Sequence, residues 1–281
     1  MTALCWGTGD FAARFTSRAI GPAQTLLVLS GVSALGLTPM ALTGDVDRLW
    51  EPMTFVLTVL GGLGTTVAGL LLYKSLAQGP LGIVVPVTSS YPLPLVVAVM
   101  VMGELTLTLP LAAAMAATIG GVWVVARAGR KVDYHEDHAR GPLGRSMLLA
   151  GSAAVMFAAA ILVTEAAVSR SGEVEVIWFS RIVEFLALAL VLVPRRRFKS
   201  VSNRMWWLLI AMGVVDTIGF LALFTAHGVG DTVIASVASA AYGVVTMGLA
   251  RLVLKEPVMP LQWLGFAIVV AGAATLTLLS S

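Results

Sequence analysis

Ten apolar stretches follow one another along the chain, near 2–20, 23–43, 53–73, 81–102, 107–127, 146–169, 175–194, 205–227, 232–254 and 259–279. A bilayer core about 30 Å thick needs about 20 such residues per helix. Turn or charge signals separate the stretches: Gly21-Pro22, Asp45–Glu51, Gln78-Gly79-Pro80, Arg195–Arg204 and Gly228–Asp231. The alternating pattern of a membrane β-barrel is absent. The pattern predicts an all-α polytopic membrane protein of ten transmembrane helices joined by short loops. One longer polar loop, "RAGRKVDYHEDHARGPLGR" (127–145), sits at the middle of the chain.

That central loop invites a test for an internal repeat. A shift of 151 residues lays "GPAQTLLVLS" (21–30) on "GEVEVIWFSR" (172–181), Trp6 on Phe157, Tyr73 on Phe224 and Tyr91 on Tyr242. One inserted residue then aligns Gly103-Glu104 with Lys255-Glu256 and Gly120 with Gly272. The units predicted are 1–130 and 146–281, joined by 131–145. With an odd number of helices per unit, the second enters the membrane from the opposite side. The loops agree: Asp45, Asp47, Glu51 and Arg48 in loop 2–3 face Arg195, Arg196, Arg197, Lys199 and Arg204 in loop 7–8. Opposite charge in equivalent loops is what inverted repeats require. The odd-numbered loops hold nearly all the Lys and Arg, which predicts that they are cytoplasmic and that both termini lie outside.

Composition sharpens this. The chain of 281 residues is 58% hydrophobic and 12% charged, with mean hydropathy +0.93. A soluble domain has about 25% charged residues. The sequence pI of about 9.3 comes from loop residues between apolar spans, so no nucleic-acid partner is expected. Cys5 is the only cysteine, which excludes an intrachain disulfide. Met1–Ala19 lacks a basic n-region and carries Asp10 and Arg14 where an apolar region should be, so no cleavable signal peptide is expected. Span 1 is short beside its counterpart, which begins near Ser146; either its outer end is truncated or the true start lies upstream.

A charged residue at a helix centre costs about 2.5–3.5 kcal/mol on insertion scales, so it usually faces a partner or a wet cavity. Trp6, Asp10 and Arg14 share one face of span 1. Either Asp10 and Arg14 neutralise each other, or they wall a cavity. Glu165 occupies the position of Arg14 in the second unit and would offer the opposite charge to the same space, or is simply solvated. Arg181 and Glu184, at i and i+3, read as a structural ion pair. Asp216, equivalent to Thr65, has no local cation; it must face the interior or take up a proton. Gly62, Thr65, Thr66, Gly69 and Tyr73 share a face of span 3, for packing or for a pocket edge. Tyr73, Tyr91 and Tyr242 read equally well as interfacial belt residues.

"VVPVTSSYPLPLVVAVMVMGE" (84–104) poses a separate problem. Pro86, Pro92 and Pro94 each remove a backbone donor, and the carbonyls they free need partners. Ser89, Ser90 and Tyr91 sit at the same place. A helix broken at mid-membrane depth is the usual mark of a transporter's substrate site; the alternative is a kinked helix that merely packs. The counterpart, "VIASVASAAYGVV" (233–245), keeps Ser236, Ser239 and Tyr242 without proline. His135 and His138 in "DYHEDH" (133–138) form no closed metal set. No HExxH, Walker loop or nucleophile elbow occurs in a usable context, so neither an enzyme nor a cofactor is expected.

"CWGTGDFAAR" in span 1, the stretch 84–104, and "VIASVASAAYGVVTMGLARLVLKEP" (233–257) together resemble the EamA-type transporters of the drug/metabolite transporter superfamily. The resemblance spans the whole chain. It implies helices 1–4 and 6–9 around a central cavity, with helices 5 and 10 at the periphery, in a secondary carrier that exports amino acids and related metabolites or exchanges sugar phosphates and nucleotide sugars. Mapped here, the cavity would be lined by Trp6, Asp10, Thr65, Ser89, Ser90, Tyr91, Glu165, Asp216, Ser239 and Tyr242, with Arg14 as a further substrate-binding candidate. Glu104 and Glu256 match the family's closing glutamates and would serve structure and gating, alongside Pro86, Pro92, Pro94, Arg181 and Glu184. The expectation is an inner-membrane secondary transporter, exporter or exchanger, of a small polar or amphipathic metabolite, with a possible coupling proton, as monomer or homodimer. A lipid-phosphate flippase and a non-transporting scaffold are the rivals.

Overall fold

The computed structural model describes residues 1–132, 140–194, 198–228 and 242–280. Among them every regular element is helical. The order is α1 (Thr2–Ile20), α2 (Pro22–Ala41), a 3₁₀ turn (Val46–Trp50), α3 (Pro52–Gln78), α4 (Leu81–Thr88), α5 (Pro92–Val101), α6 (Leu109–Gly129), α7 (Leu143–Ser171), α8 (Glu173–Leu192), α9 (Asn203–Gly228), α10 (Tyr242–Leu252) and α11 (Pro260–Ser280). Among the described residues, seven helical stretches are long and apolar enough to cross a membrane, α4 and α5 counting together. α1 and α8 have the length but carry Asp10, Arg14 and Arg18, and Glu173, Glu175, Arg181 and Glu184. Of the span expected at 232–254, residues 232–241 lie outside the described residues, and so does "DYHEDH".

Helix boundaries follow local chemistry. Pro22, Pro52 and Pro92 stand at helix starts, where the missing N–H is no loss. Thr108 caps α6, its hydroxyl accepting from Leu111 N at 3.4 Å. Gly21 (φ 94°) and Gly172 (φ 140°) turn α1 into α2 and α7 into α8 within one residue, a backbone region side chains resist. Small residues then set the crossings. A Cβ at Gly121 in α6 would stand 2.7 Å from Gly265 O in α11, and one at Gly62 in α3 would stand 2.9 Å from Ser180 O in α8. Such contacts let helices approach where no hydrophobic effect separates protein from lipid.

The most extensive pairings are α3 with α7, α6 with α11, and α2 with α8. α1 lies against α9 and α10, α2 against α9, α3 against α8, and α4 and α5 against α7. The largest apolar core joins Ala13, Leu72, Leu76, Leu81, Val84, Leu188 and Leu209 near one end of the bundle. That end is also where the basic residues gather. Arg18 Nε donates to Ala77 O at 2.9 Å, Lys199 Nζ to Ala19 O at 3.2 Å, and Arg251 Nη1 to Glu256 O at 3.4 Å. The opposite end carries an aromatic cluster of Trp50, Phe55 and Phe179.

Candidate functional site

The proline-rich segment resolves first. α4 and α5 are joined by a tight turn at Ser89–Tyr91 rather than by an open break. Each proline frees the carbonyl four residues earlier, and each freed carbonyl has a partner. Gly82 O, freed by Pro86, accepts from Gln262 Nε2 of α11 at 3.3 Å. Thr88 O, freed by Pro92, accepts from Tyr91 N at 3.2 Å; Ser90 O, freed by Pro94, accepts from Leu93 N at 2.9 Å. The chain tightens to i→i+3 bonds and stays satisfied.

The N-terminus of α4 is held by Glu256, which is fully buried: Leu81 N donates to its Oε2 at 3.1 Å and Gly82 N to its Oε1 at 2.8 Å. A carboxylate at a helix N-terminus answers the orphan amides and the dipole together. Arg14, 1% exposed, lies 4.0 Å from the same carboxylate and donates from Nη1 to Gly79 O at 2.9 Å. Arg14 therefore belongs to this lock at the basic end. It pairs with Glu256 of the other half of the chain and not with Asp10, contrary to the i, i+4 expectation, because α1 presents it to the α3–α4 corner. Glu104, the sequence equivalent of Glu256, is exposed.

One helical turn from Arg14, on the side away from the basic end, a cavity of about 100 Å3 opens among α1, α2, α3, α7, α8, α9 and α10. Its polar wall is Asp10, Thr65, Arg181, Glu184 and Asp216. Its aromatic wall is Trp6, Tyr73, Tyr91, Phe157, Phe220 and Tyr242. Trp6 meets Phe220 edge-on at 5.2 Å and Tyr242 edge-on at 6.3 Å between centroids. Tyr242 Oη donates to Thr88 Oγ1 at 3.2 Å, tying α10 to the end of α4. The three tyrosines are cavity residues and not an interfacial belt; each is buried.

Arg181 is the centre of the polar wall. Nη1 bonds Glu184 Oε2 at 2.7 Å and Nη2 bonds Asp216 Oδ2 at 2.7 Å. Its guanidinium stands 4.4 Å over the Phe220 ring. Asp216 thus has the cation the sequence withheld, supplied by α8 from 35 residues away. The pair read as merely structural, Arg181 and Glu184, lines the cavity. Asp10 is 9% exposed and makes no hydrogen bond or ion pair among the described residues. A smaller cavity of about 20 Å3 lies beyond Arg181 toward the opposite end, lined by Thr65, Ile161, Thr164, Ile177, Ser180, Arg181 and Phe220.

Other candidates fall elsewhere. Ser90 Oγ bonds back to Val87 O at 2.7 Å, and Ser89 Oγ is buried where a Cβ on Gly243 would stand 2.6 Å away, so neither lines the cavity. Glu165 is exposed on α7, one helical turn beyond Ile161, and is not among the residues that line the cavity. Ser239 lies outside the described residues. Phe157, Ile161 and Phe220 went unread, although Phe220 follows Asp216, and Ile161 follows Phe157, by one helical turn.

No curated protein matches the sequence. A crystal structure superposes with a TM-score of 0.69 at 18% sequence identity, over 99% of this chain and 95% of that chain; this likeness concerns the fold alone. The model of the EamA-like transporter family matches residues 144–278. Members of that family are membrane transporters and not enzymes. Over residues 144–278, just under half of the chain, the sequence is similar to the EamA-like transporter family of the drug/metabolite transporter superfamily, and with its long apolar helices this supports a multi-pass membrane protein.

Proposed function

We propose that the protein is a secondary active transporter, an exporter or exchanger, which moves a small polar or amphipathic metabolite by alternating access. The observation that carries this is the Arg181–Glu184–Asp216 cluster facing a cavity at mid-bundle. Buried charge at membrane depth is expensive, and ionisable residues kept there mark substrate or ion pathways.

The ten-helix, two-repeat reading (1–130 and 146–281, joined by 131–145) has independent support. Exchanging the halves turns the α1–α9 pairing into α3–α7, α2–α9 into α3–α8, and α1–α10 into α4 and α5 against α7, all of which occur. The α2–α8 and α6–α11 pairings map onto themselves. Positive-φ residues also come in equivalent pairs: Gly21 with Gly172, and Gly103 with Lys255. Helices 5 and 10 of the resemblance correspond to α6 and α11. Clustering of basic side chains at one end supports a plasma (inner) membrane orientation with that end cytoplasmic and both termini outside.

Asp216 is the coupling carboxyl in this scheme. When it takes a proton, Arg181 keeps only Glu184, and the α8–α9 contact loosens. A ligand or proton that favours one arrangement shifts the equilibrium between the two. The flippase rival needs free cations for a phosphate headgroup, and Arg14 and Arg181 are both engaged by carboxylates.

The test is reconstitution in proteoliposomes with an imposed pH gradient, reading charge movement or uptake across a panel of amino acids, amines, nucleosides and sugar phosphates. Transport of one class that collapses at least tenfold in Asp216→Asn, with the variant still monodisperse, supports the scheme. Equal transport by Asp216→Asn removes the coupling role. No transport of any class favours the scaffold.

A further inference from the structure

The charges facing the cavity do not balance. Three carboxyl groups line it, from Asp10, Glu184 and Asp216, against a single guanidinium among the described residues. Arg181 is committed twice, at 2.7 Å to each of Glu184 and Asp216, with its face on Phe220. A carboxylate or phosphate entering here would have to strip Arg181 from two partners in a low-dielectric site. An anion therefore has no ready seat. A cation has one. Asp10 is nine-tenths buried, lines the cavity and is unpartnered among the described residues. One turn away on the same helix is Trp6, set edge-on to Tyr242 and Phe220. Aromatic faces next to a carboxylate are the usual surroundings of an ammonium group.

The rest of the wall selects a body for that head. Leu26, Leu29, Phe157 and Ile161 are apolar and cannot satisfy a sugar or a second charge. The cavity of about 100 Å3 compares with roughly 10–15 Å3 for one water on the same measure, so it holds on the order of ten heavy atoms. We infer that the cavity selects a small amine, with its ammonium between Asp10 and Trp6 and an apolar or aromatic body against α2 and α7. This deepens the transport reading of the same cavity and rests on it for movement, though not for binding. An amino acid is the poorer fit, because its carboxylate would find no free cation.

Three probes that share a phenyl ring and a short chain separate the possibilities: phenethylamine, phenylalanine and 3-phenylpropionate. Binding is measured by calorimetry on the whole chain in lipid-free detergent micelles, so that no lipid headgroup competes. The expected result is phenethylamine at least tenfold tighter than the other two, lost at least tenfold in Asp10→Asn and retained in Asp10→Glu. Trp6→Leu weakens the amine without making the carboxylate bind. The inference is overturned if phenylalanine or phenylpropionate binds as well as the amine, if none of the three binds, or if Asp10→Asn binds the amine undiminished. Proteoliposome uptake is read separately. An amine that binds but never crosses leaves the inference standing and removes the transport reading; an amino acid that crosses without amine binding does the reverse.

Discussion

Two buried arginines sit in the two halves of this chain, and they are put to different uses. Arg14 is 1% exposed, caught between Gly79 O and a carboxylate that itself caps α4. Both carboxylate oxygens of Glu256 are engaged by backbone amides, and neither Glu256 nor Arg14 lines the mid-bundle cavity. Arg181 is 8% exposed and equally well paired, yet it faces a cavity and divides its bonds between a residue of its own helix and one of the next. A charge whose partners all sit in closed packing holds two halves together. A charge shared between two carboxylates beside open space can change partners. The difference lies in the neighbourhood and not in the ion pair.

The comparison is broken or sharpened by substitutions of graded effect. The largest is expected from Glu256→Ala, which leaves Arg14 buried without its counter-charge and α4 uncapped. Loss of one partner of a buried pair costs about 3–5 kcal/mol, enough to abolish a monodisperse peak in detergent. Asp216→Asn leaves Arg181 with Glu184, so its melting temperature should move far less than its transport. If Asp216→Asn unfolds the protein as Glu256→Ala does, the two arginines are equivalent and the distinction fails.

A smaller effect tests how the prolines are accommodated. Gln262→Leu leaves Gly82 O without its donor, a buried acceptor worth about 1–3 kcal/mol. In a Pro86→Ala background the restored amide reaches Gly82 O, so Gln262→Leu should cost less there. A double-mutant cycle on melting temperature reads the coupling; additive losses would mean that Gln262 serves something else. A smaller change again is expected at Lys255, where φ is 53°. Lys255→Gly should stabilise by up to about 1 kcal/mol by relieving left-handed strain, visible as a rise of a degree or two. Glu165→Gln, on an exposed position, should alter neither melting nor transport; a loss of transport would return Glu165 to the pathway.

Much of the architecture was legible in the sequence because a bilayer leaves few options. The helix positions followed from apolar runs and Gly/Pro punctuation. The break at Ser89–Tyr91 followed from three prolines within nine residues of chain, since each must remove an amide. At the site, Trp6, Asp10, Thr65, Tyr91, Asp216 and Tyr242 were named from the sequence and do line one cavity. Ser89, Ser90, Glu165 and Arg14 were named with them and do not. Helical spacing gives which residues share a face, but not what that face meets. Ser90 turned its hydroxyl back to Val87 O, an option open to any serine in a helix and invisible in a pattern.

What the sequence determined alone is the solvent and the element. An apolar, charge-poor chain with turn signals at bilayer spacing must satisfy its backbone internally, so it folds as membrane helices; and buried carboxylates in such helices demand partners. What only the tertiary structure decided is who those partners are. Asp216 is joined to Arg181 across 35 residues, Glu256 to the first turn of α4 across 175, and Gln262 to the carbonyl that Pro86 freed across 180. Coulomb and hydrogen-bond energies depend on distance in space, and sequence neighbours fix that distance only within one helix. Asp10, alone among the carboxylates of the cavity wall, was left without a partner among the described residues by the same packing.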